Sequence, residues 1–350
     1  MTPTKVHLVG SIALDSVDEV FRTAGRTLGR RIRRIPDGEP GGRRLWISRQ
    51  YPLLRSLPFL KADTHQPNQT SGFLPLGLAE GADPATIRFP ELCYAREARV
   101  WYTDFTAARS RGDVAPGTRF QVSLPTPFAV INPFILARDF LAVEPAYERA
   151  MLDEVAAICT AIPHQELCIQ WDICIEMVLW DGRSPFMSNP FADLRGEVMS
   201  RIKRLAAAVP EDVELGFHLC YGDWEAKHFV EPEDSGKLVE FANALAAAVT
   251  RPVAYIHMPV PINRSDDAYF VSLRGLRLRG NTELYLGVVH DDGAESTRAR
   301  IRAAANHRSD FGIATECGMA RCRTPELIRK LLAIHAEVAS EPPPGAVHSG

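Results

Sequence analysis

The sequence predicts an α/β fold, a single (β/α)8 barrel of the TIM type with an inserted loop region. Eight short apolar runs recur along the chain, and most are separated by segments in which apolar residues return every three or four positions. Strands that alternate with amphipathic helices form parallel βαβ units, and eight such units favour a closed barrel over an open sheet. The predicted strands lie at residues 6–9, 31–35, 120–124, 167–171, 214–217, 253–256, 284–289 and 311–314.

The predicted helices lie at residues 17–28, 147–161, 194–208, 236–248, 296–305 and 324–339. The second strand is the least typical, because its segment RRIRRIP carries four arginines and equally fits a basic loop edge. Residues 61–87 are rich in turn-forming residues and too long for a plain connection, which predicts an insertion that folds over the mouth of an active site. We expect residues 1–340 to form one barrel domain and residues 341–350, rich in Pro and Gly, to form a flexible tail.

The composition excludes several classes of protein. The 350-residue chain is 46% hydrophobic and 24% charged, as in soluble globular proteins and unlike disordered or fibrous chains. A formal net charge of −3 is too balanced for a protein that binds nucleic acid or an acidic membrane surface. The chain has no membrane-spanning apolar run and no signal-peptide pattern, so we expect a cytoplasmic protein. Its seven scattered cysteines favour reduced thiols or metal ligands over disulfides.

Polar and reactive side chains follow most of the predicted strands. In a barrel of this type the carboxyl ends of the strands form one face, from which catalytic groups project. Any barrel needs some polar strand ends for solubility, but a set this dense favours a functional cluster. The residues concerned are Gly10 and Ser11 after the first strand, Glu39 after the second, Asp172 after the fourth, His218 and Cys220 after the fifth, His257 after the sixth, His290 and Asp291 after the seventh, and Glu316 and Cys317 after the eighth.

The HLC segment at residues 218–220 is the sharpest candidate for metal binding. Residues i and i+2 of an extended strand point to the same face, so the histidine and the cysteine can bind one ion together. Cys317 then supplies a third ligand and His257 or Glu316 a fourth, a set of donors that suits Zn²⁺. A buried histidine beside a buried cysteine also fits ordinary core packing, and both interpretations stay open at this point.

Six short motifs stand at these strand ends: VGS at residues 9–11, DGEPGGR at 37–43, IQWD at 169–172, HLCY at 218–221, LGVVH at 286–290 and ECG at 316–318. In their order along nearly the whole chain they resemble the C-terminal catalytic half of cobalamin-independent methionine synthase. That family belongs to the uroporphyrinogen decarboxylase and methionine synthase-like superfamily of barrels, whose members include thiol-alkylating zinc enzymes. The resemblance implies a TIM barrel with a zinc cofactor and an amino-acid-like thiol substrate.

The residues to which the resemblance assigns roles are His218, Cys220 and Cys317 as zinc ligands, Ser11, Glu39 and Asp172 as contacts to the thiol substrate, and His290 as a neighbour of the proton donor. Two positions depart from the family pattern. After the aspartate of the fourth strand the family has Glu-Pro-Ala, whereas this chain has Ile-Cys-Ile-Glu at residues 173–176. His257 stands where the family has a glutamate ligand, and it either binds zinc through its imidazole or hydrogen-bonds locally.

The predicted function is a zinc-dependent methyl or alkyl transferase that activates a thiol. Gly10, Glu39 and Asp172 are expected to line the cavity in which an ammonium group is held, and Trp171 and Trp224 to form its walls. The donor is a folate, a corrinoid protein or a small electrophile, with no nucleic-acid or membrane partner. The alternative is a lyase or hydrolase on the same barrel, in which zinc polarises the substrate and His290 or Asp291 moves protons. A second alternative is a barrel that binds a small ligand without catalysis.

Overall fold

A curled parallel sheet of seven strands forms the centre of an α/β fold in the structure, a computed structural model that describes residues 3–64, 72–184, 187, 189–223 and 227–340. The strands are β1 (Arg34–Pro36), β2 (Leu60–Ala62), β3 (Leu76–Leu78), β4 (Arg119–Pro125), β5 (Leu167–Ile173), β6 (Glu214–Leu219), β7 (Tyr255–Pro259), β8 (Glu283–Val289) and β9 (Gly312–Thr315). The sheet order is β1-β4-β5-β6-β7-β8-β9, and β2 and β3 form a separate antiparallel pair.

The backbone of residues 5–7 bonds to both edges of this sheet. Val6 forms parallel bridges with Ile32, just before β1, and with Ile313 of β9. The amide of Val6 donates to the carbonyl of Arg31 at 2.8 Å, and the amide of His7 donates to that of Ile313 at 2.9 Å. The first predicted strand is therefore present as a short bridging segment, and the seven other predicted strands coincide with β1 and β4 to β9.

Helices alternate with the strands along the chain. Their bounds are α1 (Val17–Leu28), α2 (Tyr51–Ser56), α3 (Tyr94–Ser110), α4 (Pro127–Phe134), α5 (Phe140–Ala161), α6 (Ile175–Asp181), α7 (Leu194–Ala207), α8 (Gly236–Ala248), α9 (Asp267–Phe270), α10 (Ala294–Ala305) and α11 (Pro325–Val338). All six predicted helices are present. Local chemistry explains their starts: the hydroxyl of Ser16 accepts from the amide of Glu19 at α1, and Thr324 caps α11 with a proline in its first turn.

The arginine-rich second strand is explained by the charges that it meets inside the sheet. Arg34 is 3% exposed, and its guanidinium donates to Glu214 at 2.5 Å and to Glu283 at 2.9 Å. These carboxylates lie on the first residues of β6 and β8, so the ion pairs join three strands at the amino-terminal end of the sheet. A buried arginine is tolerated here because it is paired and hydrogen-bonded.

The predicted insertion at residues 61–87 contains β3 and part of β2, while residues 65–71 lie outside the described residues. The predicted tail at residues 341–350 also lies outside them. In the part of the chain that the structure describes, no helix is both long enough and apolar enough to cross a membrane.

Candidate functional site

His218, Cys220 and Cys317 come together at the carboxyl end of the sheet. His218 is the fifth residue of β6, Cys220 follows this strand directly, and Cys317 comes two residues after β9. The two Sγ atoms are 3.6 Å apart, and Cys317 Sγ lies 3.6 Å from His218 Nε2. All three side chains are buried, and their ligand atoms lie within 4.8 Å of one another. The prediction that these residues share one place thus agrees with the geometry.

Two of the three distances among these donor atoms match those around a tetrahedral zinc ion, and the third pair, Cys220 with His218, lies within 4.8 Å. With Zn–S bonds of about 2.3 Å and a Zn–N bond of about 2.0–2.1 Å, tetrahedral ligands lie about 3.8 Å (S to S) and about 3.6 Å (S to N) apart. The distances of 3.6 Å in the structure match this closely. A disulfide is excluded, because bonded sulfurs lie about 2.05 Å apart. Two thiols and an imidazole also form the soft donor set that zinc prefers over magnesium or calcium.

His257 lies behind His218 and does not join this group of donors. The two histidines are neighbours in the register of β6 and β7, and their Nδ1 atoms are 2.7 Å apart. His257 is fully buried, and burial lowers its pKa to about 3, so the ring is neutral. One Nδ1 must therefore donate its proton to the other. If His218 donates, its Nε2 is left free to bind a metal, which is the usual arrangement around histidine ligands. The predicted role of His257 as a direct ligand does not fit this geometry.

A pair of carboxylates, Glu39 and Asp172, lies on the other side of the site. Burial and the charge of Asp37 raise the pKa of Glu39 to about 7, and burial and the charge of Glu39 raise the pKa of Asp172 well above its usual range. Asp172 accepts a hydrogen bond of 2.8 Å from Gln170 Nε2. The two acids are close enough to repel each other, and a bound cation would relieve that repulsion.

Gly10 and Ser11 lie between the carboxylates and the thiols. A Cβ atom on Gly10 would lie 3.3 Å from a carboxylate oxygen of Glu39, so this glycine allows a close approach. The carbonyl of Ser11 accepts from the amide of Met319 at 2.6 Å, and a Cβ atom on Gly318 would lie 2.3 Å from Ser11 Oγ. The structure thus places the first predicted strand end between Glu39 and the segment that carries the second thiol.

Glu39 also borders a cavity whose wall contains Arg43, Trp46 and Arg49. Glu39 and Trp46 both have left-handed backbone angles, with φ of 51° and 50°, which are uncommon for residues other than glycine. Trp46 lies near Asp172 and favours its ionised carboxylate, while the buried indole Nε1 makes no hydrogen bond to the described residues. Strained backbone of this kind is concentrated at functional sites.

His290 faces the carboxylate of Glu316, for which the sequence predicts only a role as a metal ligand. Its Nε2 donates to the carbonyl of Val260 at 2.8 Å, and its Nδ1 lies 3.9 Å from Glu316. Burial lowers the pKa of His290 to about 3, and burial raises that of Glu316. His228 lies 3.5 Å from the same carboxylate. Burial disfavours the charged form of His228, but Glu231 and Glu316 outweigh it and hold its pKa above the ordinary value. The three side chains form an acid–base cluster.

Two other predicted site residues stand apart. Asp291 is exposed, and its backbone carbonyl accepts a hydrogen bond of 2.6 Å from Lys330 Nζ. Trp171 is fully buried in the hydrophobic core, and it points away from the face on which its neighbours Gln170 and Asp172 bond to each other. The structure therefore does not bring Trp171 together with the other site residues, and its role as a wall of the substrate cavity stays a prediction. Trp224 lies outside the described residues.

Arg321 is a further site residue, and the sequence alone did not predict it. Its guanidinium lies 3.5 Å from Asp223. Burial alone would lower the pKa of Arg321, but the nearby Cys317, Asp223 and Cys220 hold that pKa above its ordinary value. Its Nε is buried and makes no hydrogen bond to the described residues. No sequence pattern marks this arginine, because it lies in a loop between the last strand and the last helix. It gives the site a fixed positive charge.

No known protein-family profile and no curated protein matches the chain. Among solved structures, it is similar to a B12-independent methionine synthase from Shewanella sp. W3-18-1 in complex with selenomethionine, with 15% identity and a TM-score of 0.60 over 97% of this chain and 98% of the other. It is also similar to a putative vitamin-B12 independent methionine synthase from Listeria monocytogenes, with 13% identity and a TM-score of 0.56 over 97% and 99% of the two chains. At this identity the likeness establishes a shared fold.

Proposed function

We propose that the chain is a zinc-dependent methyl or alkyl transferase that activates a thiol substrate. The observation that carries the proposal is the buried group of His218, Cys220 and Cys317, whose donor atoms lie within 4.8 Å of one another and in two pairs 3.6 Å apart, as around a tetrahedral ion. When bound, zinc lowers the pKa of a coordinating thiol, so that a thiolate nucleophile is present at neutral pH. Burial of the group keeps bulk water away from that nucleophile.

The remaining residues of the site suit an amino-acid-like thiol. Glu39 and Asp172 repel each other, and an ammonium group placed between them lets both ionise. Ser11 lies between these acids and the thiol cluster, where its hydroxyl can orient the substrate chain. These contacts hold the sulfur of the substrate toward Cys220 and Cys317. The donor is a folate, a corrinoid protein or a small electrophile.

We also propose that residues 1–340 form one closed barrel, in which residues 6–9 serve as the first of eight strands. The support is the pair of bridges from Val6 to both edges of the sheet. In such a barrel all strand ends that carry site residues open onto one face.

The experiment begins with the zinc content of the purified full-length chain, measured by inductively coupled plasma mass spectrometry. L-homocysteine is then incubated with a methylated folate, methylcobalamin or iodomethane, and methylation of sulfur is followed by mass spectrometry. We expect one zinc per chain and thiol methylation from one donor class, and Cys317→Ser to lose both. Cys159→Ser, on the buried face of α5 away from the site, is the matched control. A metal-free wild-type protein that methylates no thiol would contradict the proposal.

A lyase or hydrolase is the second candidate, favoured by the cluster of His290, Glu316 and His228. A histidine with a lowered pKa and a histidine with a raised pKa that both lie near one carboxylate can take and give protons in a single reaction. The variant Glu316→Gln separates the two candidates. It removes the carboxylate shared by both histidines, so it should abolish lyase or hydrolase turnover while zinc content and thiol binding stay at wild-type levels. Ligand binding without any turnover would instead indicate a non-catalytic barrel.

A further inference from the structure

Gln170 of the IQWD motif lies on β5, two residues before Asp172, one of the two carboxylates between which the proposed function places the substrate ammonium group. Side chains two residues apart on a strand share a face, so the two side chains lie on the same side of β5. Gln170 is fully buried, and a buried amide is stable only when its hydrogen bonds are made. Its partners therefore determine which way the amide faces.

The nitrogen of this amide is committed to two acceptors. Nε2 of Gln170 lies 2.6 Å from the carbonyl oxygen of Val9, which can only accept, so the atom that faces it carries the hydrogens. The second hydrogen goes to Oδ1 of Asp172 at 2.8 Å. A further acceptor, Ser123 Oγ, is more distant at 3.3 Å. The amide therefore donates to one defined oxygen of Asp172.

The oxygen of the amide is held from the opposite side. Oε1 of Gln170 accepts from the hydroxyl of Tyr255 at 2.8 Å and lies 2.9 Å from Nε2 of His7. A ring nitrogen that faces an amide oxygen carries its proton, so His7 is a donor as well. A rotated amide would set its hydrogens against that of His7 and its oxygen against the carbonyl of Val9. The amide thus has one stable orientation, and its bond to Asp172 is fixed with it.

We propose that Gln170 is a positioning residue for substrate binding, which holds Oδ1 of Asp172 so that Oδ2 is turned toward the ammonium group of the substrate. The proposal rests on the proposed function, because it takes an amino-acid-like thiol as the ligand. A carboxylate that is free to rotate loses side-chain entropy when it binds a cation, and the fixed amide removes that cost beforehand. Gln170 therefore acts through Asp172 and selects thiols that carry an ammonium group.

Two thiols that differ only in the amino group test this role. L-homocysteine carries it, and 4-sulfanylbutanoate is the same molecule without it. Isothermal titration calorimetry gives the dissociation constant of each thiol for the full-length, zinc-loaded wild-type chain and for Gln170→Leu. We expect the wild-type chain to prefer homocysteine by about 10- to 100-fold, the range that a hydrogen bond to a charged group accounts for. Gln170→Leu should lose most of this preference and keep its affinity for 4-sulfanylbutanoate.

The two thiols also separate the ways in which the proposal can fail. An equal loss of affinity for both in Gln170→Leu, or an unchanged preference, would overturn the role of Gln170 while the proposed function stands. A wild-type chain that binds both thiols equally would overturn the placement of the ammonium group at Asp172, and the role of Gln170 with it. A wild-type chain that holds no zinc and binds neither thiol would overturn the proposed function as well.

Gln121→Leu is the matched control. Gln121 is as buried as Gln170, donates to the carbonyls of Leu8 and Val9, and lies 3.4 Å from Oε1 of Gln170. In the part of the chain that the structure describes, it makes no hydrogen bond to Asp172. This variant should keep the wild-type preference for homocysteine. A loss of preference as large as in Gln170→Leu would assign the effect to packing inside the sheet and refute the proposal.

Two further variants show whether Gln170 acts through Asp172. Gln170→Leu combined with Asp172→Asn should lose no more preference than Asp172→Asn alone, and additive losses would overturn the proposal. Gln170→Glu keeps the side-chain length and an acceptor for Tyr255 and His7, which preserves the packing if Gln170→Leu does not fold. It cannot donate to Val9 and Asp172 together, so its preference should fall as well. An unchanged preference in Gln170→Glu would refute the role of the amide.

Discussion

Removal of the His257 ring should weaken zinc binding without removing a ligand. His257→Leu deletes the hydrogen-bond partner of His218 at a place where both rings are at most 2% exposed, so water cannot replace it. The loss of such an outer partner costs about 10- to 100-fold in metal affinity. At about 1.4 kcal/mol for each factor of ten, this is about 1.4 to 2.8 kcal/mol. The range agrees with the about 1–3 kcal/mol that an unpaired buried polar group costs.

A competition titration of zinc against a chelating dye at neutral pH measures this effect. His257→Gln restores an acceptor for His218 and should recover part of the lost affinity. His335→Leu is the control, because His335 is an equally buried histidine on α11 that packs away from the site. An unchanged affinity in His257→Leu would refute the reasoning. A fall well beyond 100-fold, with one nitrogen lost from the zinc shell, would show instead that His257 is itself a ligand.

Three further predictions concern stability, measured by urea unfolding. Burial raises the pKa of Glu39 to about 7, so the free energy of unfolding of the wild-type chain falls as the pH rises from 4.5 to about 7. Glu39→Gln should remove this loss, which amounts to up to about 3 kcal/mol. Parallel pH profiles of the two chains would contradict the prediction. Burial lowers the pKa of His335 to about 4, so only the unfolded chain gains a proton at this residue as the pH falls below about 6.5. The wild-type chain should therefore lose about 2 kcal/mol of unfolding free energy between about pH 7 and about pH 5, and His335→Phe should not. An unaltered pH profile in the variant would refute this. Arg201→Met leaves the buried carboxylate of Glu144 without the partner that bonds it at 2.6 and 2.7 Å, and should lower the free energy of unfolding by about 3–5 kcal/mol. Arg204→Met breaks a more exposed ion pair on the same helix and should lower it by less than about 1 kcal/mol. Equal losses in the two variants would contradict the role of burial.

The strand pattern was predictable because it depends on local composition. Strands buried on both faces read as continuous apolar runs, as β5 and β8 do, and their helices carry regular apolar spacing. Predictions failed where that local signal is weak. Pro145 lies inside α5, so the predicted helix begins at residue 147 and misses the first part of the element. The helices α4 and α6 are apolar nearly all round and so lack the spacing that distinguishes helix from strand.

The candidate site was predictable where it follows from strand ends. His218, Cys220 and Cys317 meet because parallel strands bring their carboxyl ends to one place. The outward orientation of Trp171 also follows from strand alternation, once Asp172 is assigned to the inner face. Arg321 and His228 could not be found in this way, because loops carry them and tertiary packing alone decides where their side chains point.

The left-handed backbones of Glu39 and Trp46 have a consequence for how this protein can evolve. Each such residue costs about 1–3 kcal/mol relative to a relaxed conformation, and glycine would relieve most of that cost. Selection for thermal stability alone would therefore drive both positions toward glycine, and the carboxylate and the indole beside Asp172 would be lost with the strain. A laboratory lineage that is selected for thermal stability, with no selection for activity, should accumulate these glycine substitutions early. Persistence of the two side chains in such a lineage would mean that the surrounding packing, and not activity, holds them in place.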